Sequence, residues 1–225
     1  MLGPAHRRTT PYIFSPSEIE RLVTAASQLS SPHGLRAKTY VALIGLLACT
    51  GLRISEALRL GRADADLDSG VLSIRQTKFC KSRLVPLHPS ARRALQGYVR
   101  RRDAIAPPLA KATFFVSEAG AALPSRTVHG VMRTLLDGVV TSGTSLGRRA
   151  RIHDLRHTFA CRCLLRWYRA GADVDHRIAA LSTYLGHAKV SDTYWYLTGV
   201  PELMAITATR FERFGREGED HAART

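Results

Sequence analysis

The sequence predicts a mainly α fold with one small antiparallel β-sheet, an α+β domain in which helices dominate. Three observations predict it. Apolar residues recur at helical spacing along most of the chain, beginning with Ile19, Leu22, Val23 and Ala26. Between Asp64 and Leu87 that rhythm breaks: Asp68-Ser69-Gly70 reads as a turn, and Val71-Leu72-Ser73-Ile74 alternates after it. Arg83-Leu84-Val85-Pro86-Leu87 follows as a second extended run, so two or three strands are expected there. Beyond Pro89 the helical pattern returns.

Taken in order, residues 1–13 read as a short irregular arm carrying Arg7, Arg8 and Pro11. Ser15-Pro16-Ser17-Glu18 starts a helix, with a hydroxyl cap, proline in the first turn and a carboxylate close behind. The strongly apolar run Tyr40 to Leu47 predicts a core helix, interrupted at Gly51, and a third helix begins near Ile54 with Ser55 and Glu56. Pro86 suits the edge or end of a strand, and Lys78 falls at the hairpin between the last two strands. Helices are then expected at Pro89–Arg101, Arg126–Val139, Asp154–Arg169, Val174–Leu185, Val190–Leu197 and Pro201–Phe214. Thr141–Arg151 reads as a basic loop rich in Ser and Gly, and residues 216–225 as a polar tail.

Composition narrows the function. The 225 residues are 45% hydrophobic, enough for a sizeable core, which excludes global disorder. With 33 Lys and Arg against 18 Asp and Glu, the formal net charge is +15, and a chain this basic calls for a polyanionic partner, nucleic acid first. No segment approaches the roughly 20 apolar residues of a spanning helix, so no membrane partner is expected. MLGPAHRRTTPYIF lacks the apolar core of a signal peptide, and the expected location is the cytoplasm. Cys49, Cys80, Cys161 and Cys163 form no CxxC pair; all are read as reduced and none as a zinc ligand.

Four short motifs carry the chemistry: TGLRISEAL around Arg53, TKFCKSRLVPL around Lys78, HDLRH from His153 to His157, and LGHAKVSDTYWY ending at Tyr196. Together they supply cations, proton carriers and a phenol, which is what breaking a phosphodiester without a metal requires. An arginine fork matches the geometry of phosphate oxygens, and Glu56 stands three residues from Arg53, placed to fix its guanidinium. His153 and Arg156 are three apart, on one face if the segment is helical, so one can clamp a phosphate while the other bonds it or moves a proton. His153 and His157 also have the spacing of the zinc motif HExxH. That signature needs a glutamate where Asp154 stands, and it would set Arg156 beside a dication. His187 can donate to phosphate or support a nucleophile. Tyr194 and Tyr196 are both candidate nucleophiles, and a phenol needs cationic neighbours to attack at neutral pH. Lys78, or Lys81 beside it, can protonate the leaving 5′-oxygen as a general acid.

In identity and order these motifs resemble the catalytic domain of the tyrosine recombinases, the phage integrase family, over Phe14 to Phe214. The resemblance implies a catalytic domain over residues 14–215 that acts on double-stranded DNA. In such a domain Arg53, Arg156, His153 and His187 hold the pentavalent transition state and Lys78 is the general acid. The nine-residue interval from His187 selects Tyr196 over Tyr194, and the eight residues from Lys78 to Pro86 select Lys78 over Lys81. The family pattern further implies a 3′-phosphotyrosyl intermediate, no metal and no other cofactor, and a tetramer on paired sites or an assembly with related recombinases. Pro201–Phe214 would be the segment passing between neighbours. One departure stands out: family members carry a helical DNA-clamping domain ahead of the catalytic one, and only about 13 residues precede it here. Relaxation of DNA in the manner of a type IB topoisomerase, or DNA binding without cutting, are the alternatives.

Overall fold

A computed structural model of the chain describes residues 11–75, 82–105, 113–140 and 149–199, with side chains as far as Tyr196. These residues form eight α-helices, one short 3-10 turn and one three-stranded sheet, divided between two compact units. The expected arm over residues 1–10, Lys78, Cys80, Lys81, most of the basic loop, Pro201–Phe214 and the tail lie outside the described residues.

The larger unit comprises Tyr12–Phe159 and Tyr184–Gly186. Its first helix, α1 (Pro16–Ser27), begins as the sequence requires: Ser15 Oγ accepts from the Glu18 amide at 3.2 Å while Glu18 Oε2 accepts from the Ser15 amide at 2.7 Å. Helix α2 (Leu35–Thr50) is buried along most of its length and packs against α1 and against α4 (Pro89–Ile105), while α1 also packs on α5 (Ser125–Val139). The Glu118 carboxylate supplies the start of α2, accepting from the amides of His33 at 2.6 Å and Arg36 at 3.0 Å. Gly51 ends α2 with φ +64, the left-handed conformation of a helix cap, and the short α3 (Ile54–Arg59) follows at once.

Strands β1 (Ala65–Asp66), β2 (Val71–Ile74) and β3 (Arg83–Pro86) form one antiparallel sheet in that order. Val71 pairs with Pro86 and Ile74 with Arg83, so Pro86 closes the outer strand and Arg83 begins it at the hairpin end. No element is predicted over residues 113–123, yet they supply part of the core. Phe114, Phe115 and Val116 are buried, the Phe114 amide donates to Leu60 O at 2.7 Å, and Tyr98 donates to Phe114 O. Burying the two phenylalanines stabilises the unit by roughly 3–6 kcal/mol. Arg102 is buried against this segment. It donates to Phe114 O at 2.8 Å and pairs with Asp103.

Among the described residues the smaller unit includes Ala160–Thr183 and the chain from His187 to Gly199. It holds the distal part of α6 (Asp154–Arg169), most of α7 (Val174–Leu185) and α8 (Ser191–Gly199). Cys161, Leu164, Leu165, Val174, Ile178 and Leu181 are buried on α6 and α7. Asp173 starts α7 by accepting the His176 amide at 3.1 Å.

Gly51 is the position at which the backbone leaves least choice. Its φ is positive, and an added Cβ would lie 2.5 Å from Phe159 Cδ1 and 3.2 Å from Leu185 Cδ2. Gly51→Ala should therefore lower the unfolding free energy by about 1–3 kcal/mol, read as a shifted midpoint in urea denaturation.

Candidate active site

Arg156 lies in the first turns of α6 and is almost wholly buried. Its Nη1 donates to the Gly51 carbonyl at 2.8 Å and its Nη2 to the Leu185 carbonyl at 2.7 Å. Both acceptors sit at helix C-termini, where carbonyls have no intrahelical partner and carry the negative end of the helix dipole. Arg53, just ahead of α3, uses the same helix end: Nη2 donates to Gly186 O at 2.9 Å and Nη1 reaches Leu185 O at 3.5 Å.

Glu56 organises the rest. Its carboxylate accepts from the Arg53 amide at 3.0 Å and from Arg53 Nη1 at 2.9 Å, as the sequence spacing suggested. It also receives a two-pronged hydrogen bond from Arg83 on β3, at 3.2 and 2.8 Å. Burial alone would raise the Glu56 carboxyl, but the bonds from Arg83 and Arg53 prevail and hold it below its usual range. Gly186, with φ +68, admits this packing: a Cβ there would stand 2.9 Å from Arg83 Nη1.

His153 occupies the turn leading into α6 rather than the helix itself, and its carbonyl accepts the Arg156 amide at 3.1 Å. Desolvation, then the charges of Arg156 and Arg53, push its imidazole from 6.5 down to about 4. One side of the residue is exposed, so water offsets part of the desolvation, and the two guanidiniums are the firmer cause. His153 is thus neutral at pH 7. Its ring meets that of His157 edge to face, centroids 4.8 Å apart, and Asp154 accepts the Arg151 amide at 2.8 Å. Among the described residues no group of three or more His, Cys, Asp or Glu is arranged to hold a metal.

In the smaller unit, His187 follows the helix cap at Gly186, and its amide donates to Ser182 O at 3.0 Å. Its Nδ1 is 2.7 Å from Thr193 Oγ1, and its ring stacks near-parallel on Tyr196, centroids 6.2 Å apart. Tyr196 is buried on α8, whereas Tyr194 is 42% exposed, so of the two candidate tyrosines it is Tyr196 that accompanies His187. The structure thus groups Arg53, Glu56, His153 and Arg156 in one unit and His187 with Tyr196 in the other. Strands β2 and β3, which bracket Lys78 in the sequence, are described; Lys78 is not. Arg83 and Thr193 were not singled out as site residues from the sequence.

The profile of the phage integrase family matches residues 13–201. The chain belongs to that family. An integrase/recombinase of Sinorhizobium fredii is 43% identical over 92% of this chain and 67% of its own length. The tyrosine recombinase XerD of Caulobacter vibrioides is 32% identical over 96% of this chain and 66% of its own. The crystal structure of XerA recombinase superposes with a TM-score of 0.69 at 26% identity, over 93% of this chain and 67% of that one. The chain therefore spans about two thirds of the length of these relatives.

Within this phage integrase fold, the lowered His153 value has a definite pH signature. Above about pH 6.5 neither the folded nor the unfolded chain protonates His153, and it has no effect. As pH falls from 6.5 toward about 4, the unfolded chain binds a proton that the folded one refuses, so stability declines. Titration of histidine ring resonances should show His153 still neutral at about pH 5.5. His153→Asn should flatten the acid-side fall in stability across that window.

Proposed function

We propose that this chain cleaves and rejoins strands of double-stranded DNA as a site-specific recombinase. The observation that carries this reading is the clustering of Arg53, Arg83 and Arg156 about Glu56 and two helix C-termini, with neutral His153 beside them. That is a rigid, positively charged cradle of the kind a phosphodiester requires. Tyr196 would attack the phosphorus, and the 5′-oxygen would leave with a proton from Lys78. A 3′-phosphotyrosyl bond and a free 5′-hydroxyl result. Attack of a 5′-hydroxyl on that bond then returns the tyrosine and reseals a strand, so the bond energy is conserved and no nucleotide is consumed. Arg53, Arg156, His153 and His187 hold the developing charge, Glu56 keeps Arg53 in place, and side chains supply every charge without a metal.

Binding would rest on phosphate contacts. Helix α5 exposes Arg126, His129 and Arg133 alongside its buried Met132 and Leu136. With Arg149 and Arg151 these line a cavity of about 540 Å³. Among the described residues no helix is long and apolar enough to cross a membrane. We further propose that the working form is a tetramer on paired sites, made of this chain alone or with related recombinases.

On a nicked suicide duplex the wild type should form a covalent protein–DNA complex, equally well in EDTA. Tyr196→Phe should form none while binding the duplex normally, and Tyr194→Phe should still cut. A complex made by Tyr196→Phe would remove the nucleophile assignment.

Lys78→Ala should slow cleavage by roughly 10²–10⁴. A 5′-phosphorothiolate at the scissile bond gives a leaving group that needs no proton, and should restore much of that rate. If the thiolate gives no recovery, the general acid lies elsewhere and Lys81 is next to be tested.

A further inference from the structure

We propose that Thr193 is a positioning residue that fixes His187 as the neutral tautomer protonated at Nε2. His187 then serves strand transfer as a hydrogen-bond donor to a phosphate oxygen, not as the base that takes the tyrosine proton. The inference deepens the recombinase reading above and rests on it.

Thr193 is fully buried, and its Oγ1 lies 2.7 Å from His187 Nδ1. Other helical threonines satisfy their hydroxyls differently: Thr50, Thr158 and Thr183 each donate to the carbonyl four residues back. For Thr193 that carbonyl is Lys189 O, which accepts the Asp192 amide, while the Thr193 amide donates to Val190 O at 2.8 Å. The Thr193 hydroxyl turns to the imidazole instead. A buried hydroxyl carries one proton that needs an acceptor, and Nδ1 is the acceptor provided. If Nδ1 itself bore a proton, Oγ1 would have to accept it, and the hydroxyl proton would then find no second acceptor among the described residues. The ring proton therefore resides on Nε2, on the opposite side of the ring from Thr193.

Position reinforces the assignment. Thr193 and Tyr196 are three apart on α8 and both buried, so they share a face of that helix. Thr193 fastens the imidazole to the helix that bears the nucleophile, while the His187 amide, donating to Ser182 O, holds the residue's backbone. An Nε2–H donor can stabilise charge growing on a non-bridging oxygen from the outset. With that nitrogen already protonated, the phenolic proton of Tyr196 goes to a base other than His187.

The test uses the full chain labelled with ¹⁵N-histidine, with His187→Gln identifying the His187 signals by subtraction. Nδ1 should resonate as an unprotonated, hydrogen-bonded nitrogen and Nε2 as a protonated one; the reverse pattern overturns the proposal. Thr193→Val keeps the shape and removes the hydroxyl. It should mix the tautomers and lower covalent-complex formation roughly tenfold on the suicide duplex, with duplex affinity unchanged. Thr193→Ser should restore both spectrum and rate. A Thr193→Val protein that is folded, keeps the single tautomer and cuts like wild type also overturns the proposal. Should Thr193→Val fail to fold, the wild-type spectrum still decides the tautomer. A wild type that forms no covalent complex overturns the recombinase reading instead.

Discussion

A guanidinium taken out of water costs several kcal/mol unless its donors are met, and Arg156 gives two of its donors to backbone carbonyls. Its acceptors, the carbonyls of Gly51 and Leu185, terminate α2 and α7. Carbonyls at a helix C-terminus would otherwise face solvent or remain unpaired, so one buried cation satisfies two helices at once. The arrangement works only if α2 stops at a residue that can turn left-handed with no side chain in the way. Phe159 and Leu185 occupy the space where a Gly51 Cβ would stand. The end of α2, the start of α6 and the end of α7 are thereby held to one point, and that point is where the chemistry is proposed.

Glu56 extends the constraint to the sheet. A carboxylate serving only Arg53 would be a local brace, but the two-pronged bond from Arg83 joins α3 to the first residue of β3. Arg83 pairs with Ile74 at the last rung before the hairpin that contains Lys78 in the sequence. Arg53 and the start of β3 thus hang from one carboxylate. Because the charged form of Glu56 is the one stabilised, this brace is complete above the ordinary glutamate range and weakens as pH falls below it.

What the sequence revealed depended on whether a residue's partners were close in the chain. Arg53 with Glu56, and His153 with Arg156, lie three apart and could be recognised together. Helix boundaries were equally legible where a cap announced them, as at Ser15 and Gly51. Arg83 lies 27 residues from Glu56 and read as an ordinary strand residue, since nothing local marks a side chain for a distant carboxylate. Arg102 owes its carbonyl and its aromatic face to Phe114, 12 residues further along the chain. Phe114-Phe115-Val116 itself is too short an apolar run to declare helix or strand. Thr193 gave no signal because its significance is a lone pair on a ring six residues earlier.

The charges of the cradle can be counted against the reaction. Arg53, Arg83 and Arg156 bring three positive charges and Glu56 one negative, leaving two in excess. A phosphodiester in its ground state carries one negative charge, and its five-coordinate transition state carries two. In the proposed reaction the cradle would therefore match the transition state better than the substrate, which is the condition for binding energy to appear as rate. Protonating His153 would add a third positive charge beside two guanidiniums before any phosphate had arrived, and its depressed value is the expression of that cost. Desolvation and the charges of Arg156 and Arg53 together keep it neutral, so the cradle's own cations share in setting its state. In this state His153 can accept a proton or donate one hydrogen bond, whereas an imidazolium could only donate.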